Sequence, residues 1–244
     1  MNRLEVIQAL LSHLGDRRSR QGLTYLEIGV KRGATFLAVR ASRKIAVDPA
    51  PRISRRARWK ACFRDPSNLR NRYFPVESDR FFGSPPEGLT RRGLDVAFID
   101  GLHTHEQSLR DVHHCLAWLR PGGALVLHDC NPVTETAALP LSELPEGDPS
   151  NLQEGWSGDV WKTVVHLRAT EPGLRVWVLD CDCGLGVVYP ADSADSRAVS
   201  GLSPDRISEL AYADLAARRK ELLNLRPAGG LPDILEDLER QAWR

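Results

Sequence analysis

Residues 25–33 read Tyr-Leu-Glu-Ile-Gly-Val-Lys-Arg-Gly, an apolar run that delivers Glu27, Gly29 and Gly33 at its end. A second run, Lys44 to Val47, is stopped by Asp48-Pro49, and Asp48 stands twenty-one residues after Glu27. In a parallel α/β sheet, ligands bind at the carboxyl ends of the strands, where a tight glycine turn lets the backbone approach them. A carboxylate closing the next strand is placed to accept hydrogen bonds from ribose hydroxyls, so the two runs together predict a nucleoside pocket. The dinucleotide fingerprint G-x-G-x-x-G cradles a pyrophosphate on a helix N-terminus. This chain has E-x-G-x-x-x-G instead. The acidic residue beside the loop suits a cationic ligand, and the missing third glycine disfavours an NAD(P)-dependent oxidoreductase.

Outward from this block, Leu4, Ile7, Leu10, Leu11 and Leu14 recur at helical spacing and predict a lead-in helix over 3–14, ending at Gly15. Strands are expected at about 23–29, 44–47, 73–77, 94–99 and 124–127, with helices over 34–41 and 105–119 between them. That alternation predicts a doubly wound, mostly parallel sheet. Residues 132–155 hold prolines, glycines and acids without periodicity, and a loop of that length is usually functional, so it reads as a substrate lid. A helix over 158–169 and a hairpin of strands 174–180 and 185–189, joined by Cys-Asp-Cys-Gly, complete the central segment. Residues 190–202 read as a linker. Beyond it, Ser203-Pro204 opens one helix and residues 232–242 form another, whose stripe Ile234, Leu235, Leu238 and Ala242 needs a partner. The stripe is satisfied either by the chain's own core or across a homodimer. The expected organisation is an N-terminal helix over 1–20, a ligand-binding catalytic domain over 21–190, and a linker with a helical tail over 191–244.

The chain has 244 residues, a formal net charge of +1 and five cysteines. One large core is within reach of that length. Near-neutral charge argues against nucleic acid or a membrane surface as a general partner. No run approaches the roughly 20 apolar residues of a membrane span, and an odd cysteine count without a framework spacing fits reduced thiols, so the expected setting is the cytoplasm. One segment breaks the balance: Arg52 to Arg72 holds seven arginines and one lysine against the single acid Asp65. It reads as a solvated helix or as a lip that attracts an anionic substrate.

The second informative block is Phe-Ile-Asp100-Gly-Leu-His103, followed by Arg-Pro-Gly-Gly-Ala-Leu-Val-Leu-His128-Asp129. Its acidic ends fall at the same rim as Glu27 and Asp48. Oxygen ligands such as Asp100 and Asp129 suit magnesium.

With its E-x-G-x-x-x-G loop and Asp48, the chain resembles class I S-adenosylmethionine-dependent methyltransferases. The second block and the run Gly158-Asp159-Val160-Trp161-Lys162 resemble the small-molecule O-methyltransferases that act on the sugars of macrolides and related antibiotics. The resemblance covers roughly residues 22–190. It implies a Rossmann-like fold with a seven-stranded sheet and S-adenosylmethionine as cofactor. It further implies that Glu27, Gly29, Gly33, Asp48, Ser78 and Asp100 bind the cofactor, and that Asp100 and His103 are catalytic, with His103 as the base. Asp100, His128 and Asp129 form the implied metal set, for Mg2+ or Mn2+. His128 departs from the carboxylate usual at its position, and imidazole favours transition metals over magnesium. Trp156 and Trp161 are candidates for the wall of an acceptor pocket, or for core, and Lys162 for a partner of an acid at its rim. The partner implied is a small-molecule acceptor with a hydroxyl to methylate. Two alternatives stand beside this reading: a non-catalytic, cofactor-binding regulatory or scaffold protein, and an N-methyltransferase of a small metabolite.

Overall fold

The strands of the first half are near-continuous apolar runs without the polar alternation of a half-wetted sheet, and such runs need cover on both faces. The computed structural model, which describes residues 1–18, 22–144, 155–192, 199 and 201–242, gives them that cover. The chain divides into one unit of Met1–Gly101 and Arg110–Val126 and a second of Leu102–Leu109 and Leu127–Arg244.

The first unit contains α1 (Arg3–Arg18), β1 (Thr24–Ile28), α2 (Ala34–Ala38), β2 (Arg43–Val47), α3 (Arg55–Arg64), β3 (Arg72–Phe74), α4 (Ser78–Gly83), α5 (Glu87–Thr90) and β4 (Leu94–Ile99). It also holds most of α6 (His105–Ala117) and all but the last residue of β5 (Leu119–Leu127). Its strands run in the order β3-β2-β1-β4-β5, with β1 parallel to both β2 and β4, and β2 parallel to β3. The order reverses between β1 and β4, the switch point at which ligands bind in doubly wound sheets. Register fixes the rim there: Ile28 pairs with Val47 and with Ile99, and Val47 pairs with Phe74. Gly29, Asp48 and Asp100 therefore leave the sheet at one level.

Three local expectations shift. α1 continues through Gly15 to Arg18, because Val6, Ile7, Leu10, Leu11 and Leu14 are buried against the sheet and that packing outweighs the roughly 1 kcal/mol a helical glycine costs. The strand expected at 124 begins at Leu119, so the Pro-Gly-Gly stop lies inside β5. Gly123 serves close approach there, since a Cβ would stand 2.7 Å from the Asp95 carbonyl oxygen. The basic segment forms α3, capped by Ser54, with Trp59 67% and Phe63 82% exposed and the Arg58 guanidinium over the Tyr73 ring.

The second unit contains the start of α6, α7 (Trp161–Thr170), β6 (Leu174–Asp180), β7 (Leu185–Pro190), α8 (Pro204–Ser208), α9 (Tyr212–Leu223), β8 (Leu225–Pro227) and α10 (Leu231–Ala242). β6 and β7 form the expected antiparallel hairpin. β8 adds a strand parallel to β6, so the described strands number eight where seven were expected. Three residues ending in proline carry no strand pattern, and pairing with β6 alone defines β8. α9 likewise fills a stretch in which the sequence reading placed no element. The α10 stripe folds back on its own chain: Ile234 and Leu238 are 1% exposed, and Asp237 accepts from the Tyr189 hydroxyl at 2.7 Å. Of the expected lid, residues 145–154 lie outside the described residues, as do 193–198 and 200 of the expected linker and 19–20 of the N-terminal segment. Among the described residues no helix is long and apolar enough to cross a membrane, and no disulfide joins any of the five cysteines.

Candidate active site

At the first unit's rim, Gly29 is required by backbone contact. Its φ is +83°, and a Cβ there would lie 1.9 Å from the Asp100 carbonyl oxygen. Its N–H donates to Val47 O and the Asp100 N–H donates to Ile28 O, both at 2.9 Å, which stitches the three strand ends together. Gly33, at φ +75°, closes the loop with an N–H bond to Val30 O at 2.6 Å and leads into α2. Asp48 is 9% exposed, and its two carboxylate oxygens accept the Lys31 and Ala50 N–H groups, each at 2.7 Å. The carboxylate expected to hold a ribose thus also pins the glycine loop. Each oxygen keeps a second lone pair for a hydroxyl.

Glu27 is 2% exposed and accepts the Tyr25 hydroxyl at 2.5 Å. Burial pushes its pKa up to about 8; the Asp100 charge adds to the rise, while the Tyr25 bond, Lys44 and Arg3 oppose it. Lys44, on β2, donates to Phe36 O, Val39 O and Asn68 Oδ1, and burial brings its pKa down to about 8. Asp100 is held in an ion pair by Arg3 of α1 at 2.9 Å. Ser78, the first residue of α4, donates to the buried Asp111 at 2.5 Å. Sequence reasoning missed Arg3, because nothing in a residue 97 positions from Asp100 announces the pairing.

The second unit brings His103, His128 and Asp129 together. Asp129, in the left-handed region at φ +61° and 3% exposed, accepts the Ser157 hydroxyl at 3.0 Å on Oδ1. Its Oδ2 faces His128 Nδ1 at 2.7 Å and His103 Nε2 at 3.3 Å. His103 Nδ1 faces the Trp156 carbonyl at 3.2 Å, and the two rings stack with centroids 5.1 Å apart. A carbonyl only accepts, so Nδ1 carries a proton, and Nε2 is the nitrogen beside Asp129 that can exchange one. His128 Nε2 in turn faces Asp182 Oδ1 at 3.4 Å.

The Gly158–Lys162 run explains how the His103 loop is fixed. Gly158 sits at φ +61°, where a Cβ would be 1.9 Å from His103 O. Asp159 Oδ1 accepts the His105 N–H at 2.7 Å and so caps the start of α6 from a distant segment. Trp161 is core at 1% exposure, one of the two alternatives the sequence left open for it. Lys162 donates to Ser208 O at 2.7 Å rather than pairing with an acid. Of the histidines on α6, His105 is buried and its pKa lowered by that burial, His114 stacks on Phe82 and pairs with Asp79, and His113 is exposed. Ser157 was not singled out as a site residue, and Cys181-Asp182-Cys183, with no second Cys/His pair near it in sequence, read as a poor zinc site that packs at a strand end.

Residues 26–130 match the family described as "Methyltransferase domain". None of the curated proteins matches the chain in sequence. Among solved structures, cofactor-bound Rv0187 from MTB is 16% identical at TM-score 0.53, covering 78% of this chain and 81% of its own. The O-methyltransferase TomG of Streptomyces achromogenes, involved in tomaymycin synthesis and solved with SAM, is 16% identical at TM-score 0.50, covering 75% and 79%. A protein from Corynebacterium glutamicum is 20% identical at TM-score 0.50, covering 78% and 82%. At these identities the structures speak for the fold, and the family match speaks for residues 26–130. Residues 26–130 are thus similar to the methyltransferase-domain family, and the chain shares its Rossmann-like fold with the solved structures compared above.

Proposed function

We propose that this chain transfers the methyl group of S-adenosylmethionine to a hydroxyl of a small, hydroxyl-rich or glycosylated metabolite, with His103 as general base. The observation that carries this is the imidazole of His103, held between the Trp156 carbonyl at Nδ1 and Asp129 at Nε2. Such a ring has its tautomer set and its accepting nitrogen stabilised, when protonated, by a carboxylate. In the step, Nε2 takes the acceptor's hydroxyl proton while the oxygen bonds the methyl carbon. The methyl–sulfur bond breaks, its electron pair stays on sulfur, and S-adenosylhomocysteine departs as a neutral thioether.

For the cofactor, the first unit offers Gly29 and Gly33 for backbone approach, Asp48 for ribose hydroxyls and Ser78 at the same rim. Glu27 and Asp100 suit the ammonium of the methionyl end, and Arg3 suits its carboxylate. A hard magnesium ion fits the second-unit residues poorly. The neighbours of Asp129 include two imidazoles and a serine hydroxyl. An odd count of five cysteines without a framework spacing supports a reducing, cytoplasmic setting.

Calorimetric titration of S-adenosylhomocysteine followed by turnover of a panel of hydroxylated acceptors tests the reading. His103→Ala should lower kcat by about 10²- to 10⁴-fold while the Kd for S-adenosylhomocysteine stays within a factor of two or so. Absence of any S-adenosylhomocysteine binding would sink the reading. Unchanged turnover in His103→Ala would remove the base assignment.

A further inference from the structure

We propose that His128, Asp129 and Cys183 form a binding site for one borderline transition-metal ion, of the zinc, cobalt(II) or iron(II) class, which clips the β6–β7 hairpin to the end of β5. Their ligand atoms lie within 4.8 Å of one another, close enough for one ion to gather them by small side-chain rotations. Imidazole, carboxylate and thiolate together are the donor set of such ions and not of magnesium.

The proton inventory around His128 points the same way. Nδ1 stands 2.7 Å from Asp129 Oδ2, and Nε2 faces Asp182 Oδ1. Both oxygens are acceptors. A neutral imidazole carries one proton, so one of its two nitrogens would turn a lone pair toward a carboxylate oxygen unless a second proton or a metal ion lies there. Asp182 behind the ring is the carboxylate that usually orients a metal-bound histidine through its other nitrogen.

The backbone pays strain to present these groups. Asp129 at φ +61°, Asp182 at +47° and Cys183 at +61° are all non-glycine residues in the left-handed region. The hairpin turn is held tightly on the chain after β5: the Asn131 N–H donates to Cys183 O at 2.9 Å and the Cys130 N–H to Gly184 O at 3.0 Å. That contact brings the exposed Cys183 beside two residues that are 6% and 3% exposed. Cys115 and Cys130 are buried with their thiol pKa values raised, so neither offers a comparable thiolate.

This inference shares Asp129 with the methyl-transfer reading and is tested without turnover. The full-length protein, stripped with a chelator and kept reduced, is titrated with cobalt(II) while the near-ultraviolet thiolate-to-cobalt charge-transfer band and the visible d–d bands are followed. The expected result is a saturable 1:1 complex whose thiolate band is lost in Cys183→Ser and kept in Cys181→Ser. Asp182→Asn should weaken it about 10- to 100-fold. Excess magnesium should not displace the cobalt, and zinc should displace it and raise the melting temperature of the wild type but not of Cys183→Ser. A thiolate band that never forms, or one that survives Cys183→Ser, overturns the proposal. S-adenosylhomocysteine titration of the same samples shows separately whether the cofactor reading stands.

Discussion

Glu27 carries a pH dependence that can be worked out in sign. Its pKa in the folded chain is about 8, above the ordinary carboxyl value of 4.5. The fold therefore prefers the protonated group. Its stabilising effect is complete below pH ~4.5 and is lost as pH rises through 8. Relative to Glu27→Gln, the ligand-free wild type should lose stability steadily across that window, as read by denaturant midpoints taken at intervals from pH 5 to 8.5. A cationic ligand beside Glu27 favours the ionised form, so S-adenosylhomocysteine binding near pH 7 should release protons in the wild type and not in Glu27→Gln. Calorimetry in buffers of different ionisation enthalpy would detect the difference. Lys44 gives the complementary test: replaced by methionine, it leaves two carbonyls and Asn68 Oδ1 without its three bonds. Asn68 Oδ1 keeps the Asn71 amide at 2.8 Å, but each carbonyl left without a donor costs about 1–3 kcal/mol, so the variant should unfold at markedly lower denaturant.

Among the elements, the segment that carries His103 depends on residues far from it in sequence. Asp159→Ala removes the carboxylate that caps the His105 N–H at the start of α6 and should cost about 1 kcal/mol of stability, read by thermal denaturation. Gly158→Ala drives a Cβ into His103 O and should lower turnover more than it lowers S-adenosylhomocysteine affinity. The rim residues Glu27, Gly29, Asp48 and Asp100 were legible in the sequence because each ends an apolar strand, and strand ends in a parallel sheet share a level. His103 was legible as a loop residue directly after such an end. Arg3, Ser157, Asp182 and Cys183 were not, because their roles rest on contacts between segments whose local patterns do not refer to one another. The Gly-Asp-Val-Trp-Lys run was recognisable as a motif, yet its physical use as a glycine approach and a borrowed helix cap became visible only with the fold. β8 is shorter than any periodicity, and the Pro-Gly-Gly that should have preceded β5 is absorbed into it.

For the whole molecule, the C-terminal residues are part of the second unit's core and not an appendage. Ending the chain at Gly230 would expose what Leu231, Ile234 and Leu238 cover and strip Tyr189 and Arg175 of Asp237. Three buried aliphatic side chains at about 2 kcal/mol each approach the net stability of an ordinary domain. The truncated chain should lose its cooperative thermal transition, whereas a variant changed only at the exposed Trp59 and Phe63 should keep it. The bonds that Asp48 makes to Lys31 and Ala50 have a further bearing at this scale, on kinetics. A glycine loop already anchored from the neighbouring strand needs no reshaping when a nucleoside arrives. Encounter at that rim should then be governed by diffusion and charge, with an association rate that answers to ionic strength and little to the slow motions that delay proteins which must first rearrange.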